Sequence, residues 1–218
     1  MKVAIVGGHG NIAMLLHPLL RQNGHEVRGL IRNPDQADDL RAAGAEPVVC
    51  DVEKEADISG AVGDADAVVF AAGGGPTSGE ARKWTVDRDG ALKLIDAARE
   101  NGIRRYLMIS AMGSKAPRGE GVFRVYLEAK AEADQALRES DLDYTILRPG
   151  RLTDEPGSGR VAIAADLPRG EIPRADVAAV LAHLLETPAS ARREFDLVSG
   201  DRKIPEAVAA AIAGGRSG

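Results

Sequence analysis

What most limits the fold of this chain is a repeated change of period. Short, continuously apolar runs alternate with longer stretches whose apolar residues recur at helical spacing. "KVAIV", "EVRGLI", "AEPVVC", "ADAVVFAA", "RRYLMIS" and "LDYTILRPG" are the runs. Between the first two, Ile12, Leu15, Leu16, Leu19 and Leu20 mark one face of a helix. A strand apolar on both sides must be covered on both sides, and strands separated by helices pair in parallel. The pattern therefore predicts an α/β fold, a doubly wound parallel sheet with helices on both faces. Further helices are expected after Asn33, with Asn33 as N-cap, Pro34 at the first helical position and Gly44 as the stop. Others are expected over 84–101, 122–140 and 174–186, and at the C-terminus. Pro18 is expected to bend the first helix. A Gly/Pro-rich loop, "TDEPGSGR", follows the sixth strand, and "EFDLV" supplies a last one. The final "GGRSG" is expected to fray. No internal repeat or linker interrupts the 218 residues. They are expected to form a single domain in which 151–218 partly build the substrate side.

Charge and composition exclude several classes. The formal net charge is −5 and aromatics make up 3%, with no basic stripe, so a nucleic-acid partner is not expected. No apolar run reaches the ~18 residues of a membrane span. The N-terminus lacks the pattern of a secretory signal, and Cys50 is the only cysteine, so a cytoplasmic location is expected. His9, His17, His25 and His183 show no metal-ligand spacing, and no metal is expected.

Directly after the first strand, "GGHG" places three glycines within four positions. Glycine inside an element costs about 0.5–1 kcal/mol relative to alanine, so the cluster needs a reason. In a doubly wound sheet this turn sits where a helix N-terminus presents free N–H groups and partial positive charge to an anion. Gly7 permits the turn and Gly10 allows backbone to touch a pyrophosphate. Ala13 completes G-x-x-G-x-x-A and keeps helix and strand close. His9, Asn11 and Ile12 fall in the same stretch.

The second strand ends "GLIRNP". An acid there would bind ribose hydroxyls, as in NAD sites. Arg32 stands in that place and suits a 2′-phosphate, which predicts NADP in preference to NAD. A solvated loop arginine is the competing reading. Arg28, on the same strand, is a possible helper.

Together with "CDVE", "VVFAAG", "VDRDGALKLIDAA", "YLMISAMG", "YLEAKAEAD", "LDYTILRPGRLTDEPGSG" and "IPRADVAAVL", these segments resemble the atypical short-chain dehydrogenase/reductases. The similarity is greatest to the small NAD(P)-binding Rossmann proteins of the biliverdin/flavin reductase-like and NmrA-like group, and it covers about residues 2–208. The resemblance implies that Asp51 and Val52 meet the adenine. Ala71, Ala72 and Gly73 would line the ribose and pyrophosphate side. Ser110 would be an active-site hydroxyl, Tyr126 and Lys130 the Y-x-x-x-K pair, and Pro149 and Gly150 the start of the loop beside the nicotinamide amide.

The pair has its own chemistry. Residues four apart share a helix face. An ammonium beside a phenol favours the phenolate and lowers its pKa from about 10. Tyr126 would pass a proton to a carbonyl oxygen, Lys130 would anchor the cofactor and Ser110 would polarise the same oxygen. The same stretch is equally an amphipathic helix with Tyr126 as packing. Met112 stands where many relatives carry the active serine or threonine. Asp87 reads as a solvated acid and Cys50 as a small core residue. Arg148 and Arg151 face either an anionic substrate or a surface carboxylate. The loop 153–159 reads as a mobile lid.

The expected function is an NADP(H)-dependent oxidoreductase acting on a small carbonyl-type substrate, as monomer or homodimer. An NmrA-like NADP(H) sensor without turnover is the alternative, and an epimerase or isomerase the third.

Overall fold

The computed structural model describes residues 1–75 and 77–214. Six strands alternate with helices in the first two-thirds of the chain. They are β1 (Lys2–Val6), β2 (Glu26–Ile31), β3 (Glu46–Val49), β4 (Ala67–Phe70), β5 (Arg105–Ile109) and β6 (Asp143–Pro149). The helices among them are α1 (Asn11–Gln22), α2 (Ala37–Ala42), α3 (Ser59–Val62), α4 (Glu80–Arg82), α5 (Asp89–Glu100) and α6 (Gly121–Glu139). The remainder contributes β7 (Arg151–Thr153), β8 (Arg160–Ala164), β9 (Glu171–Pro173), α7 (Arg174–Leu185), β10 (Arg193–Ser199), β11 (Arg202–Lys203) and α8 (Ile204–Gly214).

Nine strands form one sheet in the order β11-β8-β10-β6-β5-β4-β1-β2-β3, and β7 pairs with β9 separately. From β3 to β10 every pairing is parallel, while β8 runs antiparallel to both β10 and β11. The order reverses between β1 and β4, which opens a crevice at their C-terminal ends, where ligands of such sheets bind.

The period of two decides which residue meets which helix layer. On β1, Val3 and Ile5 join one apolar cluster and Ala4 and Val6 the other. Val69 and Phe70 on β4, and Leu107 and Met108 on β5, divide in the same way. One cluster is closed by Leu16 and Leu20 of α1 and Leu181 of α7, the other by Leu94 of α5 and Leu137 of α6. Truncating any of these buried side chains to alanine costs about 2–5 kcal/mol.

Some local expectations change. Helix α1 runs on through Pro18. The Asn33 side chain does accept from the Asp35 N–H at 3.1 Å, but it caps a single 3-10 turn, Pro34–Gln36, before α2 begins. Gly44, at φ +86°, ends the segment as expected. The helix expected over 84–101 starts at Glu80 and passes through a π-helical turn, Lys83–Arg88, before α5. Besides β10, the segment after Gly150 holds four further short strands. The loop expected to be a free lid is pinned instead. The Ser158 and Gly159 N–H groups donate to Asp176 at 3.0 and 2.8 Å, and Arg174 pairs with Asp154 at 2.6 Å. Residues 215–218 of the tail expected to fray lie outside the described residues. No described helix is long and apolar enough to cross a membrane.

Candidate cofactor cleft and active site

The glycine turn is built of close backbone approaches. Gly7 has φ +82°, and a Cβ on it would stand 2.6 Å from Ala72 Cα. A Cβ on Gly8 would come within 2.8 Å of Gly29 Cα, and one on Gly10 within 3.1 Å of the Gly7 carbonyl oxygen. Side chains there would push the crossing strands apart. Gly10 is the N-cap of α1 and offers no capping side chain, so the first-turn N–H groups stay available to an anion. Asn11 is exposed and Ile12 buried at the start of that helix, and Ala13 is fully buried. Beneath the turn, the His17 Nε2 lies 2.7 Å from the Gly8 carbonyl oxygen. Burial pushes the His17 pKa below its usual value, so the neutral ring donates through Nε2–H. Sequence spacing gave His17 no role. His9 turns to Asp39, at 2.8 Å.

A cleft of about 320 Å³ opens above this turn. Gly7, His9 and Gly10 form its floor, Ala71, Ala72 and Gly73 one wall, and Arg32, Asp51 and Val52 the far end. Asn11, Ile12, Pro149 and Gly150 do not line it. Pro149 accepts from the Met112 N–H at 3.1 Å, and a Cβ on Gly150 would meet the Gly170 carbonyl oxygen at 2.3 Å.

Two residues at the far end were not foreseen. Glu53 accepts a pair of hydrogen bonds from Arg82, Nε at 3.1 Å and Nη2 at 2.8 Å, and one from Thr85 Oγ1 at 2.7 Å. Although burial works in the other direction, the Thr85 and Arg82 bonds hold its carboxyl below the usual range. Arg32, 56% exposed at its side chain, lies 3.6 Å from the same carboxylate. Two guanidinium groups thus share one acid at the cleft mouth. Glu53 stood within the quoted "CDVE", but an acid there is not separable by sequence from a surface one. Arg28 does not join them: it donates to the Val62 carbonyl oxygen at 3.1 Å and faces Glu46.

Across the sheet edge, Tyr126 and Lys130 project from α6 toward the π-helical turn. Asp87, expected as a solvated acid, is instead fully buried there. Lys130 is 3% exposed; its Nζ lies 3.3 Å from Asp87 Oδ1 and donates to the Ile109 carbonyl oxygen at 3.1 Å. The Asp87 Oδ2 accepts from the Gly74 N–H at 2.9 Å, which ties this pair to the cleft wall. The place of Asp87 is that of the apolar face: it stands four, seven and eleven residues before Ala91, Leu94 and Ala98, all buried, and Lys130 supplies the charge that an acid needs there. Burial opposes the Lys130 charge, but Asp87 prevails and holds its pKa above normal. The Tyr126 ring centroid is 6.0 Å from Lys130 Nζ. Burial raises the phenol pKa, outweighing the lowering by Lys130, with Asp87 adding to the rise. The tyrosine is a neutral phenol, not the phenolate that the lysine alone would favour.

Ser110 is held in a different cluster. Its hydroxyl donates to Asp134 Oδ2 at 2.9 Å, as does that of Ser114 at 3.0 Å. Arg148, fully buried, pairs with Asp134 at 3.0 Å and with Glu194. These carboxylates outweigh burial and raise the Arg148 pKa. Arg148 is therefore a core charge facing no substrate, while Arg151 pairs with Glu171 at the surface. The fold brings Tyr126, Lys130 and Asp87 together and commits the Ser110 hydroxyl elsewhere.

A cradle of glycines under a bare helix N-terminus, at the point where strand order reverses, defines a dinucleotide-binding protein of the doubly wound class. The chain belongs to the NAD(P)H-binding family, whose model matches residues 7–188. It is 40% identical over 211 residues to the uncharacterized sugar epimerase YhfK of Bacillus subtilis (strain 168), covering 95% of this chain and 99% of that one. A solved structure of an NAD-dependent epimerase/dehydratase candidate from Bacillus halodurans superposes with a TM-score of 0.92 at 39% identity, over 96% of this chain and 99% of the other. The oxidoreductase ylbE from Lactococcus lactis does so with a TM-score of 0.87 at 26% identity, over 98% and 97%. The family is NAD(P)-binding and of oxidoreductase type, as the resemblance to the atypical short-chain dehydrogenase/reductases implied.

Proposed function

We propose that this chain is an NADP(H)-dependent reductase of a small carbonyl-type organic substrate, built as one domain whose residues 151–218 contribute to the substrate side. The observation that carries the reading is the buried Lys130–Asp87 pair beside Tyr126, tied through Gly74 to the cofactor cleft. The cleft suits a dinucleotide, since the glycines bring the turn hard against the Ala72 backbone and leave the N–H groups at the start of α1 without a capping side chain, open to a pyrophosphate. The first turn of α1, from Gly10 through Asn11 and Ile12, would hold that group, with His9 beside it. Asp51 and Val52 would meet the adenine, Ala71, Ala72 and Gly73 the ribose side, and Pro149 and Gly150 the nicotinamide amide. Arg32, with Arg82 behind it, would pair with a 2′-phosphate. Bound NADPH supplies hydride. Tyr126, neutral at ordinary pH, gives its proton to the carbonyl oxygen, and Lys130 balances the phenolate that results while holding the nicotinamide ribose.

Calorimetry with NADPH and NADH tests the cofactor half. Arg32→Ala is expected to weaken NADPH roughly tenfold or more, the size of one charge-assisted bond, and to leave NADH unchanged. Absence of binding by either cofactor overturns the reading. Tyr126→Phe tests the chemistry: turnover falls by about 10²–10⁴ while NADPH affinity holds.

One observation favours a second reading. Because the Ser110 hydroxyl donates its hydrogen bond to Asp134, it is not turned to a substrate oxygen, which suits an NADP(H)-binding sensor with no turnover to lose. A third, transient oxidation in an epimerase or isomerase, draws only on the names of the Bacillus subtilis relative and the Bacillus halodurans structure.

A further inference from the structure

Lys83 sits on the π-helical turn one helical turn before Asp87 and is 4% exposed. Among the described residues its ammonium has no carboxylate within 4.0 Å. Among the described residues its one hydrogen bond goes to the Gly75 carbonyl oxygen. An ammonium carries three donors, so two have no partner among those residues. Lys130 and Arg148, the comparably buried cations, both have carboxylates at hand. Burial, with Arg82 and Lys130 as like charges and only partial relief from Asp87, lowers the Lys83 pKa. A carboxylate arriving here would remove that penalty.

The surroundings say which part of the site this is. Gly75 ends the glycine run that lines the cofactor cleft. Lys83 Nζ is 5.6 Å from the Tyr126 ring centroid. Beyond Tyr126 the Phe123 ring, 51% exposed, lies 6.3 Å away centroid to centroid. A cation, a phenol and an exposed apolar ring are thus neighbours beside Tyr126.

We propose that Lys83 is the anion anchor of the substrate, binding the carboxylate of an oxo-acid whose apolar body rests on Phe123 and Tyr126. This deepens the reductase reading and rests on it. The predicted substrate class is an aromatic or otherwise apolar oxo-acid, with the acid group giving orientation so that the carbonyl reaches the Tyr126 phenol.

Phenylglyoxylate and its uncharged methyl ester are the probes, titrated by calorimetry into the protein saturated with NADP⁺, so that nothing turns over. Wild type is expected to bind the acid at least roughly tenfold more tightly than the ester, about 1.4 kcal/mol. Lys83→Met erases that preference with NADPH affinity unchanged, and Lys83→Arg retains most of it. If wild type binds the acid no better than the ester, Lys83 anchors no carboxylate, and this holds even where the methionine variant does not fold. A folded Lys83→Met that keeps the preference overturns the proposal as well. Failure of wild type to bind NADPH is a separate result, and it removes the reductase reading instead.

Discussion

Replacing Asp87 by asparagine keeps its shape and removes its charge. The Lys130 ammonium would then be 3% exposed with only neutral acceptors at hand, the Ile109 carbonyl oxygen and the new amide oxygen. Breaking a buried ion pair by removing one partner costs about 3–5 kcal/mol, because the other charge stays desolvated. Domains are typically stable by about 5–15 kcal/mol, so the loss is a large share of the whole. At roughly 2–4 °C per kcal/mol for a chain of this size, Tm should fall by about 6–20 °C. Urea unfolding of wild type, Asp87→Asn, Lys130→Met and the double variant closes a cycle. The double variant should regain much of the loss, since it leaves no orphaned charge. The sign of the pH dependence follows from Lys130. Its folded pKa lies above its ordinary value of 10.5, so the pair contributes fully below that value and fades as pH rises through the folded pKa. The gap between wild type and Asp87→Asn should be widest at acid to neutral pH and narrow as pH rises, because the unpartnered, desolvated ammonium of the variant gives up its proton before that of wild type does. A single-variant cost under about 1 kcal/mol, the range of solvent-exposed pairs, would refute the reasoning. So would a double variant whose loss equals the sum of the singles.

His17 makes the opposite prediction with pH. Its folded pKa is depressed below 6.5, so its contribution is present above that value and drains away as acid protonates the buried ring. Urea midpoints at pH 7.5 and 5.0 should show a steeper loss in wild type than in His17→Gln. Gly7→Ala must hold a left-handed φ and push a Cβ into Ala72, costing about 1–3 kcal/mol. It should also abolish NADPH binding in calorimetry. Arg148→Leu should cost about 3–5 kcal/mol in the same urea assay, by stranding the buried Asp134 without its cation, while Glu194 keeps Arg138.

The parallel core was legible because its signals are strong and local. Val3 to Val6 or Val68 to Phe70 can be buried on both sides in few other ways, and glycines at 7 and 10 have a steric reason for being there. What escaped the sequence lies where period and length carry little information. Strands as short as Arg202–Lys203 or Glu171–Pro173 hold no alternation to read. Asp87 looked exposed because an acid on a helix is most often solvated, and the lysine that lets it be buried, Lys130, lies more than forty residues away. Glu53 and Arg82 acquire meaning only when folding brings positions about 30 apart into one cleft rim, and Lys83 only when it meets Tyr126 from another helix. Ser110 ends its strand as the pattern required, but its hydroxyl direction depends on Asp134, a whole helix further along.

The two rims of the nine-stranded sheet carry a consequence for life in a crowded solution. An open sheet offers unpaired N–H and C=O groups at its first and last strands, and any neighbour can add to them. Here one rim is β3, four residues long, with Glu46 exposed and Pro47 unable to donate a ladder bond. The other is β11, two residues long, both exposed and cationic. Neither gives a second chain enough continuous edge to zip onto. A sheet this wide, rich in valine and isoleucine, is thereby protected against edge-to-edge aggregation by the brevity and chemistry of six residues.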